Sequence, residues 1–219
     1  MIQSKSRIKI DQFVEVFIQE LKNGLPGTEA QKRMSPSIRN HSNKKNDPSL
    51  ARDSSVLILF YQKGEKIFFP LIQRSNGDHK HSGQISLPGG KYELSDNNLI
   101  ATAIRETEEE LGLQADKIHV IGTITGLYIP ISNFQVQPII GYYEDSPVFK
   151  PDSFEVEQVI EAEIQDLFKT DNKKQETIFK NGFKIEAPYY QVKEHKLWGA
   201  TAMIVSELEE LLKRADLIG

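Results

Sequence analysis

Cysteine is absent from the 219 residues. That excludes disulfides and thiolate-held metals, so any metal must be bound by oxygen or by histidine nitrogen. Long hydrophobic runs are missing too: no apolar stretch approaches the roughly 20 residues that a membrane-crossing helix needs. The first ten residues are polar and show neither the apolar core nor the small-residue cleavage site of a secretory signal, and the expectation is a soluble, cytoplasmic protein without a membrane partner. Neither sign of charge is in excess, with 27 Lys and Arg against 31 Asp and Glu. A polyanion-seeking surface is thereby excluded, and a small molecule is a better expected ligand than a nucleic acid. What is present is a hydrophobic fraction of 38%, enough at this length to bury the core of one domain over residues 1–219.

Apolar spacing predicts a helix over residues 10–21, with Phe13, Val14, Val16, Phe17 and Leu21 on one side and Gly24, Pro26 and Gly27 ending it. Residues 28–52 read as a polar connector. Residues 56–61 and 66–73 form a hairpin turning at Gly64, and a polar loop with His79 and His81 follows. Asp96 or Asn97 is expected to cap a helix whose buried stripe is Leu99, Ile100, Ala103, Ile104 and Leu111. Two β-rich runs, 118–128 and 134–143, come next, with Pro138 marking an edge or a bulge. Residues 155–164 read as a strand entering a short helix at 165–168. Asn181-Gly182 suits the type I′ turn of a hairpin over 178–185, and residues 197–214 are spaced as an amphipathic helix. The resulting division is residues 1–52, 53–168 and 169–219.

The helix after Asp96 ends in four glutamates, Glu106, Glu108, Glu109 and Glu110, just before Gly112. Negative charge is unfavourable there, because a helix C-terminus already carries partial negative charge. Either these carboxylates fan into solvent or some of them match a bound cation. Glu106, Glu109 and Glu110 stand at i, i+3 and i+4, which puts three carboxylates on one helix face within reach of a single point, and hard divalent ions favour such oxygen clusters. Glu108 is off that face.

Residues 105–113, Arg-Glu-Thr-Glu-Glu-Glu-Leu-Gly-Leu, resemble the R-E-apolar-x-E-E-x-G-apolar core of the Nudix box, with Thr107 at the usually apolar position. Gly90 upstream extends the resemblance to a box over 90–113. Asp96 falls near the box's usual intermediate glutamate, and the segment is one residue longer than the common form. That longer form, together with LIQRS at 71–75, GQISLPGG at 83–90 and the stretches 24–36, 128–141 and 197–212, is similar to the coenzyme A diphosphatase branch. His79 and Leu87 stand where the branch signature has arginine and phenylalanine.

The resemblance implies an α/β fold, the Nudix-type α/β/α sandwich, with a mixed sheet and extra N- and C-terminal helices that cover the sheet or form a homodimer interface. It implies Mg²⁺ or Mn²⁺ held by Glu106, Glu109 and Glu110, with Glu155 or Glu157 supplied from outside the box. Glu106, Glu109 and Arg105 would be catalytic, and Arg74, His79, Gly89 and Gly90 would contact the substrate, the glycines by allowing close backbone approach. The implied reaction is hydrolysis of coenzyme A or an acyl derivative to 3′,5′-ADP and the 4′-phosphopantetheine half. ADP-ribose or another nucleotide-sugar diphosphate is the alternative substrate. A non-catalytic Nudix-fold module that binds a nucleotide for regulation is the alternative of another class.

Overall fold

Residues 56–61 are apolar throughout and lie inside a sheet, in strand β1 (Arg52–Lys63). The computed structural model describes residues 8–37, 47–75, 83–180 and 183–219. Along β1, Leu57, Leu59 and Tyr61 face one side while Ile58 and Phe60 face the other, the two-residue repeat of a strand buried on both faces. Helices α1 (Ile10–Lys22) and α2 (Thr28–Lys32) precede it. After it come β2 (Lys66–Arg74), β3 (Ile85–Ser86), β4 (Gly89–Lys91), α3 (Leu99–Leu111), β5 (Ile118–Thr123), β6 (Leu127–Ile129), β7 (Phe134–Tyr143), β8 (Val156–Glu163) and α4 (Ile164–Leu167). The chain ends with β9 (Lys173–Lys180), β10 (Phe183–Val192), β11 (His195–Trp198) and α5 (Gly199–Arg214).

The main sheet runs β3-β2-β1-β7-β5, with β4 also on β1, β6 on β7 and β8 on β2. It is mixed: β1 and β7 are parallel and the other pairs are antiparallel. Ala103 and Leu111 of α3 pack on the Leu57, Leu59 and Tyr61 face, whereas Phe13 and Phe17 of α1 and the apolar face of α5 pack on the Ile58 and Phe60 face. This is the expected α/β/α sandwich with added terminal helices. Strands β9, β10 and β11 form a separate three-stranded sheet, whose Tyr190, Val192 and Leu197 join the α5-side core.

Local expectations fare unevenly. The helix over 10–21 and the hairpin at Gly64 (φ +64°) are present. The stretch read as a connector contains α2, which is docked on α5: Gln31 donates through Nε2 to Glu207 at 2.8 Å. The cap of α3 is Asn98, whose Oδ1 accepts from the Ala101 N–H at 3.0 Å, so neither Asp96 nor Asn97 fills that role. The buried face of α3 is Thr102, Ala103, Thr107, Glu110 and Leu111, while Ile100 is exposed. The helix is thus turned so that small and polar residues, one glutamate among them, meet the sheet. Pro138 is neither on an edge strand nor in a bulge of β7; it lies inside β7, opposite Val56 of β1. Its carbonyl accepts from the Ile124 N–H at 3.2 Å, on the side where β5 stops and β6 has not begun, so its missing N–H costs no ladder bond. Leu197 belongs to β11 rather than to the last helix. Asn181, Gly182, His79 and His81 lie outside the described residues.

Glu207 fixes the N-terminal segment. Fully buried on α5, its carboxylate accepts from the Gly27 N–H (3.1 Å), Gln31 Nε2 (2.8 Å), the Thr125 N–H (3.3 Å) and Thr125 Oγ1 (2.7 Å). Glu207→Ala strands those donors and is expected to cost roughly 2–4 kcal/mol, measured by urea unfolding at pH 7; a cost under about 1 kcal/mol would mean that water replaces the carboxylate.

Candidate active site

The site is assembled where α3 crosses the short strand β4. β4 pairs with β1, Gly90 opposite Ser55 and Gly89 opposite Val56, and the fit is tight. A Cβ on Gly89 would stand 2.3 Å from the Ser55 carbonyl oxygen, and φ is +144°. A Cβ on Gly90 would stand 2.3 Å from the Glu106 carboxylate. Gly89 is therefore required by the chain's own backbone packing, and Gly90 leaves the space in which the Glu106 carboxylate lies.

Arg105 organises the carboxylates. Its Nε and Nη2 grip Asp96 at 2.8 and 3.0 Å. Nη1 donates to Glu106 and to Glu109, both at 3.0 Å, and Nη2 also donates to the Lys91 carbonyl at 3.2 Å. Every one of the five guanidinium N–H donors has an acceptor, a fixed fork that no other side chain can supply. Asp96 in turn accepts from Thr102 Oγ1 at 2.9 Å and the Glu93 N–H at 3.0 Å. These bonds, that from Arg105 foremost, hold its carboxyl well below the usual carboxylate range.

The three box carboxylates do not meet at one point. Glu109 has its side chain 57% exposed, whereas Glu110 is only 1% exposed and faces the sheet. Glu110 Oε2 accepts from the Gly89 N–H at 2.8 Å. Its Oε1 has no hydrogen-bond partner, and Arg74 Nη2 stands 3.4 Å away. Burial pushes the Glu110 carboxyl up to about 7 and raises that of Glu106 as well; among the lesser causes, Glu155 acts repulsively on both. Among the described residues, no three His, Asp or Glu side chains already converge as a metal cage. The donor set nonetheless fits a hard divalent cation: the groups are all carboxylate oxygens, and one buried oxygen lacks a partner.

Glu155 comes from a loop that has a second task. The Lys150 and Asp152 N–H groups donate to the Leu111 and Glu110 carbonyls at 2.8 and 3.2 Å, covering the end of α3 that the glutamates make unfavourable. The loop packs so close that a Cβ on Gly112 (φ +65°) would lie 2.5 Å from the Lys150 carbonyl oxygen. A few residues later the chain brings Glu155 within electrostatic reach of Glu106 and Glu110; Glu155 and, on β8, Glu157 are both exposed. Thr107 is buried and donates to the Ala103 carbonyl at 2.7 Å, which satisfies its hydroxyl at the usually apolar position. Arg74 points inward, donating to the Gly89 carbonyl at 3.1 Å. A cavity of about 540 Å³ opens beside β4, with Arg74, Gly89, Gly90 and Lys91 in one wall. Asp96 is the residue that sequence reasoning missed as a support, having been read as a helix cap; the signal was its place near the box's intermediate glutamate, nine residues before Arg105.

A family model described as the NUDIX domain matches residues 51–180. An uncharacterized Nudix hydrolase, NudL, of Yersinia enterocolitica is 33% identical over 140 residues, 64% of this chain and 71% of that one. The mitochondrial coenzyme A diphosphatase NUDT8 of Homo sapiens is 33% identical over 135 residues, 61% of this chain and 57% of that protein. The chain thus spans little more than half of the human relative. Among solved structures, a MutT/nudix family protein from Enterococcus faecalis aligns over 96% of this chain and 71% of its own, at 14% identity and a TM-score of 0.49.

Because the carboxyl of Asp96 is depressed in the folded state, its stabilisation is complete above its unfolded pKa of roughly 3.9 and is lost as pH falls toward the folded value. Asp96→Asn should therefore unfold at lower urea concentration than wild type at pH 7, and the gap should narrow below about pH 4. A gap that stays constant from pH 7 to pH 3 would show that Asp96 is not held by charge.

Proposed function

The chain belongs to the Nudix hydrolase family, and we propose that it cleaves the diphosphate of coenzyme A or an acyl derivative, releasing 3′,5′-ADP and the (acyl-)4′-phosphopantetheine half. The observation that carries the catalytic part is Glu106, seated over Gly90 and fixed by Arg105, beside the buried Glu110 with its unpartnered oxygen. The substrate part is supported by the similarity to a coenzyme A diphosphatase and by the branch-like stretches at 71–75 and 83–90.

Nudix hydrolases generally use divalent metal ions, and in this reading Glu106, Glu109 and Glu110, with Glu155, hold Mg²⁺ or Mn²⁺. Bound there, such an ion neutralises diphosphate oxygens and makes its coordinated water more acidic. The chain's own residues do the rest. Arg105 keeps Glu106 and Glu109 aimed by charge-assisted hydrogen bonds. The β4 backbone presents Gly90 and Lys91 to the phosphates. A carboxylate of the set takes the proton from water as the water oxygen bonds to one phosphorus, and the bond from that phosphorus to the bridging oxygen breaks, its electron pair leaving with the other phosphate. Among the described residues no helix is long and apolar enough to cross a membrane, and our reading places the reaction in the cytoplasm.

Incubation with coenzyme A and Mn²⁺, followed by mass spectrometry, is expected to give both products. Glu106→Gln and Glu110→Gln should each lower turnover by about 10²–10⁴-fold. Mg²⁺ or Mn²⁺ should also raise the Tm of the wild type by mass action. Cleavage of ADP-ribose but not coenzyme A would reject the substrate, and nucleotide binding without hydrolysis of any diphosphate would reject the enzyme.

A further inference from the structure

Two arginines stand against the carboxylates of α3, and they are held very differently. Every N–H of the Arg105 guanidinium has an acceptor. The Arg74 guanidinium makes one hydrogen bond among the described residues, from Nη2 to the Gly89 carbonyl at 3.1 Å. The same Nη2 stands 3.4 Å from Glu110 Oε1, an ion pair but not a hydrogen bond. Nε and Nη1 have no acceptor among the described residues, and the side chain is 34% exposed. Beneath it the backbone is fixed. The Arg74 N–H donates to the Gln84 carbonyl at 3.1 Å, and its carbonyl accepts from the Gly83 N–H at 3.0 Å. The β2–β8 ladder shifts register between Gln73 and Arg74, an irregularity of the kind that re-aims a side chain. A firmly rooted arginine thus ends in a loosely held head group.

Glu110 is the other half of the pair. Its Oε2 is committed to the Gly89 N–H at 2.8 Å, so Oε1 is the oxygen left for a cation. Of the charges acting on this carboxylate, Arg74 is attractive while Glu106 and Glu155 are repulsive. A divalent ion on Oε1 would do for that oxygen what Arg74 does, and the two like charges would repel strongly at such short range. The guanidinium has another place to go, because Arg74 also lines the cavity beside β4 with Gly90 and Lys91. Unused guanidinium donors match phosphate oxygens.

We propose that Arg74 and the divalent cation compete for Glu110, and that a diphosphate relieves the competition by drawing Arg74 to itself, so that cation and diphosphate each tighten the other's binding. The inference rests on the diphosphatase reading above for the cation and for the anion. Such a coupling is reciprocal and commonly amounts to about 5–150-fold. An arginine that only bound phosphate would leave the affinity for the cation alone, and one that only braced Gly89 would weaken it when removed. Competition is the case in which a neutral replacement tightens it.

The test is the affinity for Mn²⁺ at pH 8, read from the electron paramagnetic resonance signal of the free ion and therefore independent of turnover. Arg74→Gln and Arg74→Met remove the charge, and Arg74→Lys keeps it. Each neutral variant is expected to bind Mn²⁺ about tenfold more tightly than the wild type, and Arg74→Lys to stay close to the wild type. Two neutral variants are made so that one folded protein, identified by its melting curve, suffices. The second readout adds α,β-methylene-ADP, whose P–C–P bridge resists hydrolysis, with allowance for the Mn²⁺ that the analogue holds in solution. It should tighten Mn²⁺ binding by a factor about ten larger in the wild type than in the neutral variants. Neutral variants that bind Mn²⁺ as the wild type does or more weakly, or an equal tightening in all proteins, overturn the proposal even if coenzyme A is hydrolysed. The expected pattern in a protein that hydrolyses no diphosphate supports the competition and rejects the diphosphatase reading instead. A wild type that binds no Mn²⁺, with or without the analogue, overturns both.

Discussion

The five-fold hydrogen bonding of Arg105 is the constraint on which the rest of the site depends. A guanidinium can hold two carboxylates on one side only if something holds the guanidinium, and here that is Asp96, itself anchored by Thr102 and the Glu93 backbone. The chain of support runs from the loop before α3, through Asp96 and Arg105, to Glu106 and Glu109. Charge-assisted bonds of this kind are directional and short. They let a surface helix hold carboxylate oxygens in fixed positions, which isolated surface glutamates cannot do.

β4 is the second constraint. Three residues long, it separates the carboxylate site on the α3 side from the apolar cavity on the α5 side. Its thinness depends on glycine: Gly89 presses on β1 and Gly90 on Glu106. A phosphate resting on this backbone would lie between a charged face and an apolar one. The loop at residues 150–155 completes the arrangement, since the same turn relieves the C-terminal end of α3 and carries Glu155 toward the other carboxylates.

Much of this was legible in the sequence, for physical reasons that differ by residue. The β1 core, α1 and the β1–β2 turn follow from local patterns, apolar runs and a positive-φ glycine, which dictate structure without help from distant chain. The spacing of Glu106, Glu109 and Glu110 put them on one helix face, but not their depths. Rotation of α3 is set by what the sheet will accept, and the sheet accepts Thr102, Ala103 and Thr107, taking Glu110 inward with them. Asp96 was misread because capping and Arg support call for the same residue type near the same place; only the tertiary approach of Arg105 separates them. The docking of α2 was hidden because its partner Glu207 is 176 residues away from Gln31. Pro138 misled because a proline in a strand signals an edge, yet a gap between two short partners serves equally well.

The central claim is that Arg105 acts by holding a carboxylate array, through a planar fork and not through charge alone. Arg105→Lys keeps the charge and removes the fork. Turnover of coenzyme A with saturating Mn²⁺, measured beside Tm, tests this most directly. The account predicts a loss of about 100-fold or more in kcat in a protein that still folds and still gains Tm from Mn²⁺. An Arg105→Lys protein that turns over at the wild-type rate would contradict it.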